Sequence, residues 1–599
     1  MKKPFIAIIV LIFCLSPLTT LAENISFLII DGDSYLVNKA VKELDLPENI
    51  TVKFFTFNDI KKDKSSREFI AASRVIIVDV MMSELSEYLI KNENIREKPV
   101  YALRGSRDDE GLKKKGFIFD PDIAKYFKCL SVGNIKNLIC RVANREIDPS
   151  IAYLEVEKLP EIGIYHKEAD SLFIDYDEYI RWYAGREKYD KEAPWLAIIL
   201  YSSALSEGQA DVIDYIIERF ENAGFNLLPC FGKDINVITG FLMDKKRKAR
   251  VDLVLAFSLK FYSALNNQLR SALMDLDIPV FDAITLYSST IDEWRKSPIG
   301  IPPIDIVWTI ANPEISGLVE PTPLSGKVKL FDKESGKNLF VLRPIKENID
   351  LLIPRLTAWF KLKKKENKDK KVAILYYNHS QGKQNIGASY LNVFASLELI
   401  LRQMEKEGYE VASDQKLSED AIKDLILKYG RNIGSWAPGE LDRMLREKKV
   451  VRLPVSTYKK WFEKLSEDFR NKVIQQWGEV EVSTIMIKDK NFVIPAVILG
   501  NVVIMPEPSR GWGDNPMKLY HSPTLFPHHQ YIAAYLWLKH VFHADAMIHL
   551  GTHATHEWLP GKQAGLSPAC PPEVLITDIP NIYPYICLLY TSPSPRDLS

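Results

Sequence analysis

Apolar residues in this chain gather in short β-rich runs separated by stretches with helical spacing. The first four runs are Ile25–Ile30, Thr51–Phe57, Val75–Val80 and Val100–Leu103. Their alternation with helical segments predicts a parallel, doubly wound sheet over residues 23–150. Asp31-Gly32-Asp33, directly after the first run, is read as a turn. The cadence repeats over 151–360 in Glu161–Tyr165, Trp195–Tyr201, Asn226–Pro229, Leu253–Ala256 and Pro279–Asp282. Between two of these, Gly208–Phe220 sets Ile213, Ile216, Ile217 and Phe220 on one helix face. The charged run Lys361–Lys371 reads as a solvated helix end or hinge before a third unit over 361–586. That unit opens with Val372–Tyr377, a polar Gly-containing loop and a helix over Ser389–Lys406; later, the apolar run Val493–Ile504 leads into Pro506–Gly511. The fold class expected is α/β and multidomain, with several doubly wound parallel-sheet units.

The two ends depart from this pattern. Lys2 and Lys3 precede an apolar run over Phe5–Leu15, and Thr20-Leu21-Ala22 supplies small residues at −3 and −1. These are the marks of a secretory signal peptide over 1–22, with cleavage after Ala22, and the run is short for a bilayer span. Export, most simply to a periplasm, is the expectation; a cytoplasmic location is the alternative. Residues 587–599 (CLLYTSPSPRDLS) have no periodicity and are read as a non-native tail, with the natural chain continuing beyond Ile586. No CxxC occurs, which argues against a zinc knuckle or redox dithiol, and Cys129 with Cys140 is left open as a bridge.

Composition narrows the function. The 78 basic and 78 acidic residues cancel, and no basic stripe is interleaved with aromatics, so nucleic acid is not an expected partner. Neither GxxxxGK[ST] nor GxGxxG is present, so no nucleotide is expected to bind this chain. Histidine is where the sequence concentrates. Of ten in the chain, eight fall within 521–562: His521, His528, His529, His540, His543, His549, His553 and His556. Imidazole titrates near neutrality and is the commonest metal ligand, so this stretch binds a metal, moves protons, or both.

The run His549–Ser567, HLGTHATHEWLPGKQAGLS, resembles the shared motif of the large tetrapyrrole-binding subunits of cobaltochelatase (CobN) and magnesium chelatase (the H subunit). His549, Gly551, His553, Glu557, Trp558, Leu559, Pro560, Gly561 and Lys562 carry the likeness. Pro506–Tyr520, Pro527–Leu538 and Phe542–Ala546 support it on the amino-terminal side. Pro160–Ala184, Trp195–Tyr201, Asn385–Gly387, Trp436–Leu441 and Leu453–Phe462 extend it over roughly 150–586. Ala554 stands where the motif usually has Gly, and His556 where it usually has an apolar or small polar residue. The resemblance implies that the C-terminal part of the family fold is missing from the residues up to Ile586.

The resemblance implies a tetrapyrrole substrate and a divalent ion (Co, Mg or Fe). His549, His553 and Glu557 would be its transfer site. His521, His528 and His529 would be further metal ligands. Arg510 and Lys562 would bind the ring's carboxylates, and Tyr531 and Trp558 would offer it flat surfaces. If 552–558 is helical, His553 and Glu557 lie at i and i+4 on one face. Relatives of this kind work beside separate ATPase subunits in the cytoplasm, whereas exported ones accompany haem-uptake components. Two readings stay open: a chelatase or dechelatase, and a non-catalytic periplasmic haem, tetrapyrrole or metal carrier. A metallohydrolase lacks support, because HATHE is neither HExxH nor its inverse. His540 and His543, at a helix end, read as cap or surface residues.

Overall fold

The computed structural model describes residues 22–92, 97–206, 209–260, 267–377, 386, 391–412, 417–434, 437–447, 449–511, 522–551 and 555–583. The proposed signal peptide up to Leu21, the tail, His521 and His553 therefore lie outside the described residues. The chain divides into two compact units. One holds the residues up to Leu159 together with Ser202–Ala210 and Lys329–Val341; the other holds the remainder.

In the first unit five strands form one sheet: β1 (Glu23–Leu28), β2 (Ile50–Phe55), β3 (Val75–Val78), β4 (Val100–Ala102) and β5 (Phe117–Ile118). Every pairing is parallel and the order is β2-β1-β3-β4-β5. Helices cover both faces, which is why β3 is apolar at every position. The Asp31–Asp33 turn is a single 3₁₀ turn. Arg104 fixes it, pairing with Asp33 at 2.6 Å and with Asp79 at 3.0 Å.

Two further large sheets follow along the chain. In the first of them, β6 (Ile162–Ile164), β7 (Trp195–Leu200), β8 (Asn226–Gly232), β9 (Leu253–Ala256), β10 (Val280–Thr290), β11 (Val319–Asp332) and β12 (Lys337–Pro344) take the order β12-β11-β10-β9-β7-β8-β6. The helix Ala210–Asn222 buries Ile213, Ile216, Ile217 and Phe220, the face its spacing marks. The strand β11 has no counterpart in the sequence pattern. Its segment VEPTPLSGKVKLFD holds two prolines, which normally count against a strand, and its far half is largely solvent-facing.

The other large sheet combines β13 (Val372–Tyr376), β17 (Val497–Leu499), β18 (Val502–Pro506), β19 (Ala546–Leu550) and β20 (Asn581–Ile582), in the order β17-β18-β13-β19-β20. The strands β18, β13, β19 and β20 run parallel, and β17 antiparallel. A small antiparallel sheet of β14 (Val451–Pro454), β15 (Ile487–Lys488) and β16 (Asn491–Ile494) packs on the same core. Through that core runs the helix His529–Trp537, buried at every position. A helix buried all round belongs inside a domain, and this one, polar only at His529 and Gln530, lies beneath the sheet.

Cys129, Cys140, Cys230 and Cys570 are all free thiols, so no Cys129–Cys140 bridge forms. Among the described residues no helix is long and apolar enough to cross a membrane. A groove of about 1050 Å³, lined in part by Leu273, Trp359, Met404 and Tyr409, opens at the amino-terminal ends of β13 and β19. The histidine motif lies at the opposite, carboxyl ends of those strands.

Candidate functional site

Parallel strands end together, and in open α/β sheets ligands sit outside their carboxyl ends. Here the ends of β13, β18 and β19 deliver Tyr377, Glu507 and His549 to one edge. Glu507 follows the buried strand β18 and is itself buried, its carboxylate turned toward the chain beyond β19. It accepts the backbone N–H of Thr555 at 2.7 Å and that of His556 at 2.9 Å. These two N–H groups begin the 3₁₀ turn Thr555–Trp558, so a carboxylate 48 residues away anchors the turn that carries His556 and Glu557. Burial pushes the Glu507 carboxyl up to about 7; the two N–H groups hold it lower than burial alone would, and the Glu557 charge adds to the rise.

His549 is buried near the end of β19. Its Nδ1–H donates to Asn581 Oδ1 at 2.9 Å, which fixes the tautomer and leaves the Nε2 lone pair facing the Tyr535 hydroxyl at 3.2 Å. Desolvation pushes this imidazole down to about 4, so it is neutral at physiological pH. Its ring lies 5.7 Å from that of His556 and 5.3 Å from that of Tyr583. The Tyr583 hydroxyl donates to Glu557, the exposed member of the group. The charges of Glu507 and Glu557 act, after burial, to raise the Tyr377 hydroxyl, which closes the site from the β13 side.

The remaining candidates fall elsewhere. His528 caps the helix His529–Trp537, its Nδ1 accepting from Tyr531 N–H at 3.2 Å and its Nε2–H donating to the Ser509 carbonyl at 2.8 Å. His529 is held in the same way between the Tyr458 hydroxyl at 2.9 Å and the Gly478 carbonyl at 3.0 Å. Expected as metal ligands, both have each ring nitrogen committed to the fold. Tyr531 is fully buried, stacked on Tyr535 at 5.6 Å and bonded to Thr555 at 2.8 Å, so its face is covered by protein. Trp558 is half-buried on the Glu557 turn. His540 and His543 are exposed, His540 packing on Trp461 at 4.8 Å.

The two cations expected to hold carboxylates also serve the fold. Lys562 donates to the carbonyls of Trp294, Arg295 and Ser297 at 2.6, 3.0 and 2.8 Å, using all three of its N–H groups. It is one part of a latch: Gly300 (φ +78°) lies so close to Ala564 that a Cβ there would sit 2.0 Å from its carbonyl oxygen. Arg510 is 1% exposed and donates to the carbonyls of Ser522 and Leu525 at 2.9 and 2.6 Å. Its charge reaches the His528 and His556 rings and, secondary to burial, favours their neutral form.

Among the described residues no three His, Cys, Asp or Glu side chains converge to hold a metal ion. The described group is two neutral imidazoles, a buried carboxyl and an exposed carboxylate, all within the motif or on its anchor. The family model for CobN/Magnesium Chelatase matches residues 124–588. The chain belongs to that family. It is 32% identical over 493 residues to an uncharacterized protein of Methanocaldococcus jannaschii, covering 80% of this chain and 39% of that one. The chloroplastic magnesium-chelatase subunit ChlH of Oryza sativa is 30% identical over 484 residues, 78% of this chain and 32% of that one. The aerobic cobaltochelatase subunit CobN of Pseudomonas aeruginosa is 26% identical over 488 residues, with 80% and 38% covered. The chain thus spans less than half the length of these curated relatives. A solved structure, the catalytic subunit of cobaltochelatase from Mycobacterium tuberculosis, superposes with a TM-score of 0.59 at 20% identity, over 94% of this chain and 45% of that one. The shared fold is α/β and multidomain.

Sequence reasoning passed over Glu507 and Asn581. A signal for Glu507 exists: a lone acid between two prolines, directly after a buried strand. For Asn581 there is none, because its partner is 32 residues away.

Proposed function

We propose that this chain binds a tetrapyrrole and moves a divalent ion into or out of it at the carboxyl edge of β13, β18 and β19. The observation that carries the reading is that β18 and β19 both pair with β13 and end at one edge, so that Glu507, which anchors the turn carrying Glu557, and His549 are delivered to the same place. Inserting an ion releases two pyrrole N–H protons, and removing one takes them up. Glu557, on the exposed side, is the group placed to meet both ion and proton. Glu507, with its pKa near neutrality, holds the turn and stores a proton behind it. His549, neutral and oriented by Asn581, offers a lone pair to a borderline ion such as Co²⁺ or Fe²⁺; Mg²⁺ is also within the family's range.

The likeness to cobaltochelatase and magnesium-chelatase subunits supports a chelatase. A second reading, a haem, tetrapyrrole or metal carrier, differs in one respect: it never changes the ring's metal content. Incubation of the full-length protein with haem, and separately with metal-free porphyrin and Co²⁺, decides between them. A chelatase shifts the visible spectrum of the ring with time; a carrier gives a bound spectrum that stays fixed. Separate ATPase subunits are the partners of the cytoplasmic version, haem-uptake components those of an exported one. Export is the proposal that the Lys2–Ala22 pattern motivates, with the cytoplasm as the alternative. It requires a mature terminus at Glu23, and terminal sequencing that finds Met1 rejects it.

A further inference from the structure

Five histidines are buried among the described residues: His166, His528, His529, His549 and His556. Four of them have both ring nitrogens engaged. His166 bonds Glu221 at 3.2 Å and accepts the Glu168 N–H at 3.2 Å, and the other three are accounted for above. His556 is the exception: it is 7% exposed, yet neither Nδ1 nor Nε2 makes a hydrogen bond. The Pro572 backbone lies close enough to favour the ring's charged form, without the geometry of a bond. A buried polar group without a partner is costly and uncommon, and calls for an explanation such as an ion or a catalytic role.

The surroundings indicate what completes it. The His556 ring lies 5.7 Å from that of His549 and 5.6 Å from that of Tyr535, each at 37°. Its backbone is pinned by Glu507, so the ring is held in place although its nitrogens are not. Glu557, the next residue in the turn, is exposed. The two buried imidazoles thus lie in one cluster with Tyr535, one residue along the turn from the exposed Glu557. Imidazole nitrogen suits Co²⁺, Zn²⁺, Ni²⁺ and Fe²⁺, whereas Mg²⁺ keeps to oxygen and water.

We propose that His556 is a metal-selecting ligand, which with His549 makes this edge prefer an imidazole-binding first-row ion over Mg²⁺. This rests on the metal-transfer reading above and names the class of ion. For His549 to share an ion with it, the ion must displace the Tyr535 hydroxyl from His549 Nε2.

The test omits the tetrapyrrole, so it can succeed where the exchange assay fails. Co²⁺ is titrated into the full-length protein and followed by its visible absorption, with Mg²⁺ as competitor. The parent should bind Co²⁺ and hold it against excess Mg²⁺. His556→Leu should weaken Co²⁺ binding by about tenfold or more and erase the preference over Mg²⁺. Its thermal unfolding midpoint should stay level or rise, because leucine removes two unsatisfied polar atoms. His556→Asn, which keeps polarity without the imidazole, should fail in the same way. Three results overturn the proposal: a parent that binds no Co²⁺, a His556→Leu variant that binds it like the parent, or a lowered midpoint in His556→Leu that His556→Asn restores. The last would make the ring a structural element. His556-dependent Co²⁺ binding without any metal exchange would leave this inference standing and remove only the chelatase reading.

Discussion

Glu557→Gln should lower metal exchange by about 100-fold or more while tetrapyrrole binding stays near the parent level. A positioned proton acceptor contributes roughly 10²–10⁴-fold, and loss of the carboxylate charge also removes the oxygen ligand that first meets the ion. Glutamine keeps the shape of the side chain and an acceptor for the Tyr583 hydroxyl, so the turn should be undisturbed. That turn is in any case anchored from behind by Glu507, through the N–H groups of Thr555 and His556. The measurement is the time course of the visible spectrum with haem and with free porphyrin plus metal, beside equilibrium quenching of porphyrin fluorescence. A Glu557→Gln variant that exchanges metal at the parent rate would leave the carrier reading in possession of the field. Loss of both exchange and porphyrin binding would instead make Glu557 a binding residue.

The unit that carries the motif should lose stability steeply as pH falls below about 6.5. Burial holds His528 and His556 down to about 3 and His549 to about 4, against an ordinary value of 6.5. Between those values the unfolded chain takes up protons that the folded chain refuses. Stability is therefore full above pH 6.5 and is lost as pH falls through 6.5 toward 4. Glu507 acts in the opposite sense. Its folded value near 7 stands above the ordinary 4.5, so its contribution is full below pH 4.5 and is lost as pH rises toward 7. Three histidines outweigh one carboxyl, and at about 1.4 kcal/mol per unit the net loss on going to pH 4 is on the order of several kcal/mol. Urea unfolding followed by tryptophan fluorescence at pH 7.5, 6 and 5 measures it. A midpoint that does not move over that range would mean that these rings are not held neutral by burial.

Much of this was open to a reading of the chain alone. Strands such as Val75–Val78 and Val372–Tyr376 are buried along their whole length, so they are written as unbroken β-branched or apolar runs. The helix Ala210–Asn222 buries one stripe, so it is written with a period near 3.6. The motif from His549 to Lys562 is contiguous, and its residues announced the family without a structure. What the sequence settled, then, was whatever depends on burial along one dimension or on residues that are neighbours in the chain. The tertiary structure decided which polar atoms meet. It gave Lys562 to the carbonyls of Trp294, Arg295 and Ser297, more than 260 positions away, and not to a substrate. It closed both nitrogens of His528 and His529 while leaving those of His556 open. It also set Glu507 under the turn of Glu557 because β18 and β19 both pair with β13 and end at the same edge. A side chain's burial is set largely by its own strand or helix, but its hydrogen-bond partner is set by the order in which strands assemble, and no local pattern of residues records that order.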